Sequence, residues 1–215
     1  MSASEKAGWR IVFAGTGGQG VVTAARILTD FFSARGNQVV SGQLHGMAQR
    51  GGSVQASVMI DSGISPVIPA GGADCVVGFE PVETVRALPY MSERTTVFMN
   101  TTPVVPYVLS QQVVRGKEDA KYPAQESLTE RVLAVTPKLM TFDATELARS
   151  SGMVKTLNVV MIGCLFGSGI LPATADEFFD TVMKAVPPKL AEANERAFKT
   201  GVEFGSKLGA SEESF

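Results

Sequence analysis

Hydrophobic positions recur with two different periods along the chain. Residues 10–14 (RIVFA) form a short apolar, β-branched and aromatic run that predicts a buried strand. After a glycine cluster, Val21, Ala24, Ala25, Ile27, Leu28, Phe31 and Phe32 recur at helical spacing through residues 21–34, and Gly36 stands where a C-terminal cap belongs. Residues 38–44 predict a second strand, residues 53–60 (SVQASVMI) a third and residues 75–79 a fourth. Pro81 opens a short helix expected over 81–88, and residues 95–100 predict a further strand. Pro103 and Pro106 impose an extended course on 101–107. A helix is expected over 127–135 and a strand over 139–143. Asp143 is placed to cap a helix over 144–149, with Glu146 completing a capping-box pattern.

From Thr156 onward the pattern is helical. Residues 157–167 are apolar nearly all round, which predicts a buried helix, whereas 175–185 and 189–207 are amphipathic. Strands alternating with helices imply an α/β fold: a Rossmann-like, mostly parallel sheet with flanking helices over 8–150. A C-terminal helical segment over 151–208 packs on it, within one domain spanning 1–215.

Composition narrows the functional classes. Lys and Arg number 19 and Asp and Glu 21, a net charge of −2 that disfavours bulk nucleic-acid or polybasic membrane binding. Charged residues make up only 19%, below the usual quarter, so more of the surface than usual is expected to be covered by something else. His45 is the only histidine, and Cys75 and Cys164 are the only cysteines. Iron–sulfur clusters need about four thiolates. This chain therefore cannot hold one, and its two cysteines, 89 positions apart in apolar contexts, read as buried free thiols of a reducing compartment. The N-terminus lacks a signal-peptide pattern. The longest apolar run, 159–171, falls short of the roughly 20 residues of a membrane helix. A cytoplasmic protein is expected.

Two glycine segments carry the candidate chemistry. Gly15, Thr16, Gly17, Gly18, Gln19 and Gly20 satisfy GxGxxG between a predicted strand and a predicted helix, where backbone N–H groups can hold an anion. A dinucleotide site further requires an acidic residue at the tip of the second strand. No Asp or Glu occurs between Asp30 and Asp61, which disfavours NAD. Three readings stay open: tight strand–helix packing, an anion site, and close approach of another subunit. The second segment, 45–52 (HGMAQRGG), carries His45, Gln49, Arg50, Gly51 and Gly52 just beyond a strand. His45 can move protons near neutral pH, and Arg50 can grip a carboxylate or phosphate. A loop packed on a partner chain is the alternative. Both segments are expected to leave the same edge of the sheet. Glu80 and Asn100 end neighbouring strands and Asn158 begins the buried helix; each is a candidate ligand contact or a plain cap.

The loop GTGGQG with its helix is followed by LHGMAQRGGS, IPAGGAD and FEPVETVRALP, then by NVVMIG at 158–163 and NERAF at 194–198. In this order they resemble the gamma-type chains of 2-oxoacid:acceptor (ferredoxin) oxidoreductases, most of all the small (beta) chains of the indolepyruvate branch. The likeness spans roughly 11–201. It implies an accessory subunit in an enzyme that oxidatively decarboxylates an aryl-pyruvate-type 2-oxoacid to its acyl-CoA. Thiamine diphosphate, magnesium and iron–sulfur clusters would sit on a larger partner subunit, coenzyme A would be co-substrate, and ferredoxin or another acceptor would take the electrons. No cofactor, nucleic acid or membrane would be bound by this chain alone. The residues of the two glycine segments, with Glu80, Asn100 and Asn158, would complete the active-site cleft, with catalytic assistance confined to His45 and Arg50 and no metal ligands. The competing readings are a free-standing NAD- or FAD-dependent oxidoreductase and a purely structural subunit.

Overall fold

The computed structural model describes residues 8–45, 51–105 and 122–212; residues 45, 211 and 212 are described by backbone alone. Six strands form one sheet in the order β2-β3-β1-β4-β5-β6. They are β1 (Trp9–Thr16), β2 (Val39–His45), β3 (Ser53–Ile60), β4 (Cys75–Gly78), β5 (Thr96–Asn100) and β6 (Leu139–Phe142). The run β1-β4-β5-β6 is parallel throughout. β3 runs antiparallel to both of its neighbours and separates β1 from β2. The helices among the described residues are α1 (Val21–Ala34), α2 (Pro81–Arg86), α3 (Gln125–Leu133), α4 (Ala144–Ser150), α5 (Leu157–Gly167), α6 (Ala175–Ala185) and α7 (Ala191–Glu212).

Alternation along the strands divides the core into two layers. Ile11 and Phe13 of β1, with Val54, Ala56 and Val58 of β3, face α1 and the C-terminal helices. Val12 and Ala14, with Val76, Val97 and Met99, face α2 and α3 through Val85, Leu128 and Val132. Period-two side-chain direction is what assigns neighbouring residues to opposite layers. Helix α1 buries Ala24, Ile27, Leu28, Phe31 and Phe32 on one stripe. It ends in a Schellman motif, with Gly36 at φ 86° and Asn37 N–H donating to the Phe32 carbonyl.

Helix α5 is buried on every side and lies against α7. The contact is close because both helices present glycine. A Cβ at Gly201 would stand 2.3 Å from the Val160 carbonyl oxygen, one at Gly205 2.2 Å from that of Cys164, and one at Gly167 2.2 Å from that of Val202. Beside this seam, Phe166 stacks on Phe178 with ring centroids 3.9 Å apart, and Phe31 meets both edge-on. Aromatic contacts thus join α1, α5 and α6.

The element sequence follows the expected order, with local differences. The helix expected over 81–88 stops at Arg86 and gives way to a 3₁₀ turn at Leu88–Tyr90, because Pro89 has no N–H to continue an α-helix. The last helix runs on to Glu212 rather than ending at 207. At α4, Asp143 caps the N–H of Glu146 as expected, but Glu146 turns to Arg149 instead of closing the box. A full reciprocal box forms at α6, between Thr174 and Glu177. Cys75 and Cys164 are both buried and not joined in a disulfide, and burial pushes the Cys164 thiol up to about 12.

Candidate functional site

The C-terminal ends of β1, β2, β4 and β5 share one edge of the sheet, and β3 begins there. At that edge the two glycine segments meet: Gly17 N–H donates to the Gly52 carbonyl at 2.9 Å. The joint expectation for these segments therefore holds at the backbone. His45 ends β2 opposite Val54. Its side chain, and all of Gln49 and Arg50, lie outside the described residues.

The first loop is braced by Gln19. Its side-chain oxygen accepts from Thr16 N–H at 2.8 Å, and its amide nitrogen donates to the Phe79 carbonyl at 2.9 Å. Asn100 donates to the same carbonyl at 2.9 Å. Asn100 also donates to Thr145 Oγ1 and accepts from Ala144 N–H, which fixes the start of α4. Gln19 and Asn100 thus act together as a knot joining β1, β4, β5 and α4.

The four glycines of the loop differ in what requires them. A Cβ at Gly15 would lie 2.7–2.8 Å from Val21, Gln19 and Phe79, so close strand–helix packing excludes one. At Gly20, φ is 81° and a Cβ would strike the Asn158 side chain. That is the contact Asn158 makes from the first turn of α5. Gly17 faces residues 51–52 of the second segment. Gly18, at φ 101°, is exposed, with no described residue within 4 Å of its Cβ position. Packing therefore accounts for Gly15 and Gly20, but not, among the described residues, for Gly18. Beyond it, α1 starts with no side-chain cap and no acidic residue in its first turn. The first N–H groups of a helix have no intrahelical acceptor, and with the positive end of the helix dipole they suit an anion. Thr16 Oγ1 is buried at this corner with no hydrogen-bond partner among the described residues.

Glu80 is 1% exposed and caps α2 by accepting from Glu83 N–H through Oε2. Its Oε1 accepts from Val104 N–H at 3.2 Å and from the Tyr122 hydroxyl. The chain thus meets the same carboxylate on both sides of residues 106–121. Burial and the Glu80 carboxylate push the Tyr122 phenol up. Glu83, Ser53, Tyr122 and Thr145 escaped the sequence reading. Glu83 had a readable signal, since Glu80-Pro81-Val82-Glu83 has the spacing of a helix start. Ser53 and Tyr122 had none.

The strand arrangement bears on the nucleotide reading. The strand beside β1 on the α1 side of the chain order is β3, which enters at this edge instead of leaving it. A ribose-binding acidic tip next to β1 is therefore absent in geometry as well as in sequence. Nor do the residues fit an iron–sulfur cluster, for which two cysteines buried in apolar layers are too few. Among the described residues no group of three or more His, Cys, Asp or Glu is arranged for a metal ion.

Away from this edge, a cavity of about 230 Å³ opens on the α2-facing side of β1-β3-β2, lined by Val12, Gln55, Ser57, Ile68 and Tyr90. Leu44 and Val67 on its rim are mostly exposed. No helix among the described residues is long and apolar enough to cross a membrane.

Comparison with known proteins places these features in a family. Residues 10–204 match the pyruvate ferredoxin/flavodoxin oxidoreductase family. The chain is 35% identical to indolepyruvate oxidoreductase subunit IorB of Archaeoglobus fulgidus over 89% of its length and 92% of that protein. It is 36% identical to the subunit of the same name from Pyrococcus horikoshii, over 93% of this chain and 97% of that one. The fold is similar to that of the gamma subunit of a keto/oxoacid ferredoxin oxidoreductase from Geobacter sulfurreducens. That superposition has a TM-score of 0.65 at 22% identity, over 93% of this chain and 99% of that chain. The 2-oxoglutarate:ferredoxin oxidoreductase of Magnetococcus marinus shares the fold at TM-score 0.63 and 13% identity, over 98% of this chain but 32% of that chain. The chain belongs to the pyruvate ferredoxin/flavodoxin oxidoreductase family and is similar along nearly its whole length to small subunits of that family.

Proposed function

We propose that this chain is the accessory small subunit of an enzyme that oxidatively decarboxylates an aryl-pyruvate-type 2-oxoacid, such as indolepyruvate, to its acyl-CoA. The reaction joins the acyl group to the CoA sulfur and releases carbon dioxide, a proton and two electrons. The electrons leave through a larger partner subunit, which holds thiamine diphosphate, magnesium and iron–sulfur clusters, toward ferredoxin or a similar acceptor. The relatives' names support the indolepyruvate assignment, as does the HGMAQ segment at 45–49. The partner is supported by the low charged fraction and by a thiolate count unfit for a cluster.

On this reading the chain completes the active-site cleft with its glycine edge. The contact between Gly17 and Gly52, beside an uncapped α1 start, is the observation that carries it. Thr16, Gly17 and Gln19 spend their N–H groups within the fold, so the N–H groups of Gly18, Gly20 and the start of α1 hold phosphate oxygens of CoA, and the helix dipole adds about 0.3–1 kcal/mol per charge. Arg50 neutralises a phosphate or carboxylate, and His45 and Gln49 donate hydrogen bonds. Glu80, Asn100 and Asn158 act behind the loop, where their partners lie.

Two measurements test the reading. The chain expressed alone is inactive in 2-oxoacid- and CoA-dependent dye reduction, and co-expression with the larger subunit restores activity; turnover by this chain alone overturns the accessory role. In the assembled enzyme, Gly18→Asp places a carboxylate in the open space beside the loop and raises the KM for CoA roughly tenfold, the scale of one lost charge interaction. Gly18→Asn, with the same backbone demand and no charge, has a much smaller effect. Equal effects of the two variants remove the anion site.

A further inference from the structure

Glu83 sits on α2, on the opposite layer from α1, and is only 6% exposed. Its Oε2 accepts a 2.5 Å hydrogen bond from Ser53 Oγ. Ser53 is the first residue of β3 and pairs with Thr16, the last residue of β1. Beyond that pair the chains part into the two glycine loops. The residue before Ser53 is Gly52, whose carbonyl receives the N–H of Gly17. A continuous path therefore runs from a buried carboxyl through Ser53 to the contact between the loops.

The support behind Glu83 is stiff. Its N–H is held by Glu80, Thr84 Oγ1 donates to the Glu80 carbonyl at 2.8 Å, and Thr84 is packed so closely on β4 that a Cβ at Gly78 would overlap it. The loop side is the reverse. Residues 51 and 52 have no side chains, and Gly51 has φ 68°, so nothing of their own braces them. The neighbouring Thr16 hydroxyl makes no hydrogen bond among the described residues. Burial raises the Glu83 carboxyl above its ordinary range, with Ser53 and Arg86 opposing and Glu80 adding to the rise.

The geometry points to Glu83 as a positioning residue for the glycine edge: through Ser53 it holds residues 51–52 against Gly17, and so sets the affinity for CoA without touching it. This rests on the reading of the edge as the CoA site. Ser53→Ala, Glu83→Ala and Glu83→Gln in the assembled enzyme test it. Glutamine keeps an acceptor for Ser53 Oγ; alanine does not. Ser53→Ala removes one atom from a half-buried residue, so it keeps the test sound even where Glu83→Ala does not fold.

Two readouts are needed. Amide hydrogen exchange across residues 15–20 and 51–54 rises in Ser53→Ala and Glu83→Ala and returns to the parent level in Glu83→Gln. The KM for CoA rises about five- to tenfold in the alanine variants, with kcat within about twofold, as expected when ground-state binding geometry is lost. Unchanged exchange at residues 15–20 overturns the inference. So does raised exchange with an unchanged KM for CoA when Gly18→Asp raises that KM. If Gly18→Asp and the alanine variants all leave the KM unchanged, the reading of the edge as a CoA site falls first.

Discussion

Asn100 shows how one buried amide organises a sheet edge. It is fully buried, and its side chain serves the Phe79 carbonyl, Thr145 Oγ1 and Ala144 N–H. Asn100→Ala leaves the Ala144 N–H without its acceptor and is expected to cost about 1–3 kcal/mol, measured as a fall in chemical-denaturation midpoint at constant slope. Asn100→Asp keeps one acceptor but loses both donated bonds, so it does not rescue the loss. At the surface, Arg35 after α1 meets Glu177 of α6 at 2.6 Å, and this bond with the Thr174 cap lowers the Glu177 carboxyl to about 2. A lowered folded-state value means that the stabilisation is present above the usual carboxylate range and fades as pH falls toward about 2. Arg35→Ala is therefore expected to reduce the acid dependence of stability between pH 5 and 2, followed by thermal melts across that range. The effect is small, because both side chains are solvent-exposed. In the sequence, Asn100 was legible only as a strand end that could be a ligand contact or a turn residue. Its partners lie 21 and 45 positions away, beyond any local pattern.

Among elements, the α5–α7 pair depends most on single atoms. Glycine at 163 and 167 on one helix and at 201, 205 and 209 on the other removes the Cβ layer that normally holds helices 8–10 Å apart. Gly201→Ala drives a Cβ against the Val160 carbonyl. Better helix propensity returns about 1 kcal/mol, while strain costs about 1–3 kcal/mol or more. A net fall in Tm of a few degrees is expected in differential scanning calorimetry, while Gly36→Ala acts through its positive φ alone. The four-residue spacing of these glycines was present in the sequence. Their pairing was not, since apolar periodicity says which face is buried but not against what.

Across the whole molecule, two layers of different make-up flank the sheet. α1 and the C-terminal helices build a thick aromatic layer on one side, and α2 with α3 a thinner one on the other. Among the described residues the thinner layer does not extend over β2 and β3, where the cavity beside Tyr90 opens and Leu44 and Val67 are exposed. The glycine edge joins the layers: Gln19 reaches β4 on one side, Glu83 reaches Ser53 on the other. The sequence by itself determined the α/β class, the order of elements, the helix caps at Gly36 and Asp143, and the shortage of thiols and histidine. These follow from local periodicity, backbone preference and counting. Only the tertiary structure decided that β3 would separate β1 from β2, that the two glycine segments would bond through Gly17 and Gly52, and that Glu83 would stand behind them. Strand neighbours and buried polar partners are set by long-range packing, where a residue's contacts lie tens of positions away and leave no mark in its own surroundings.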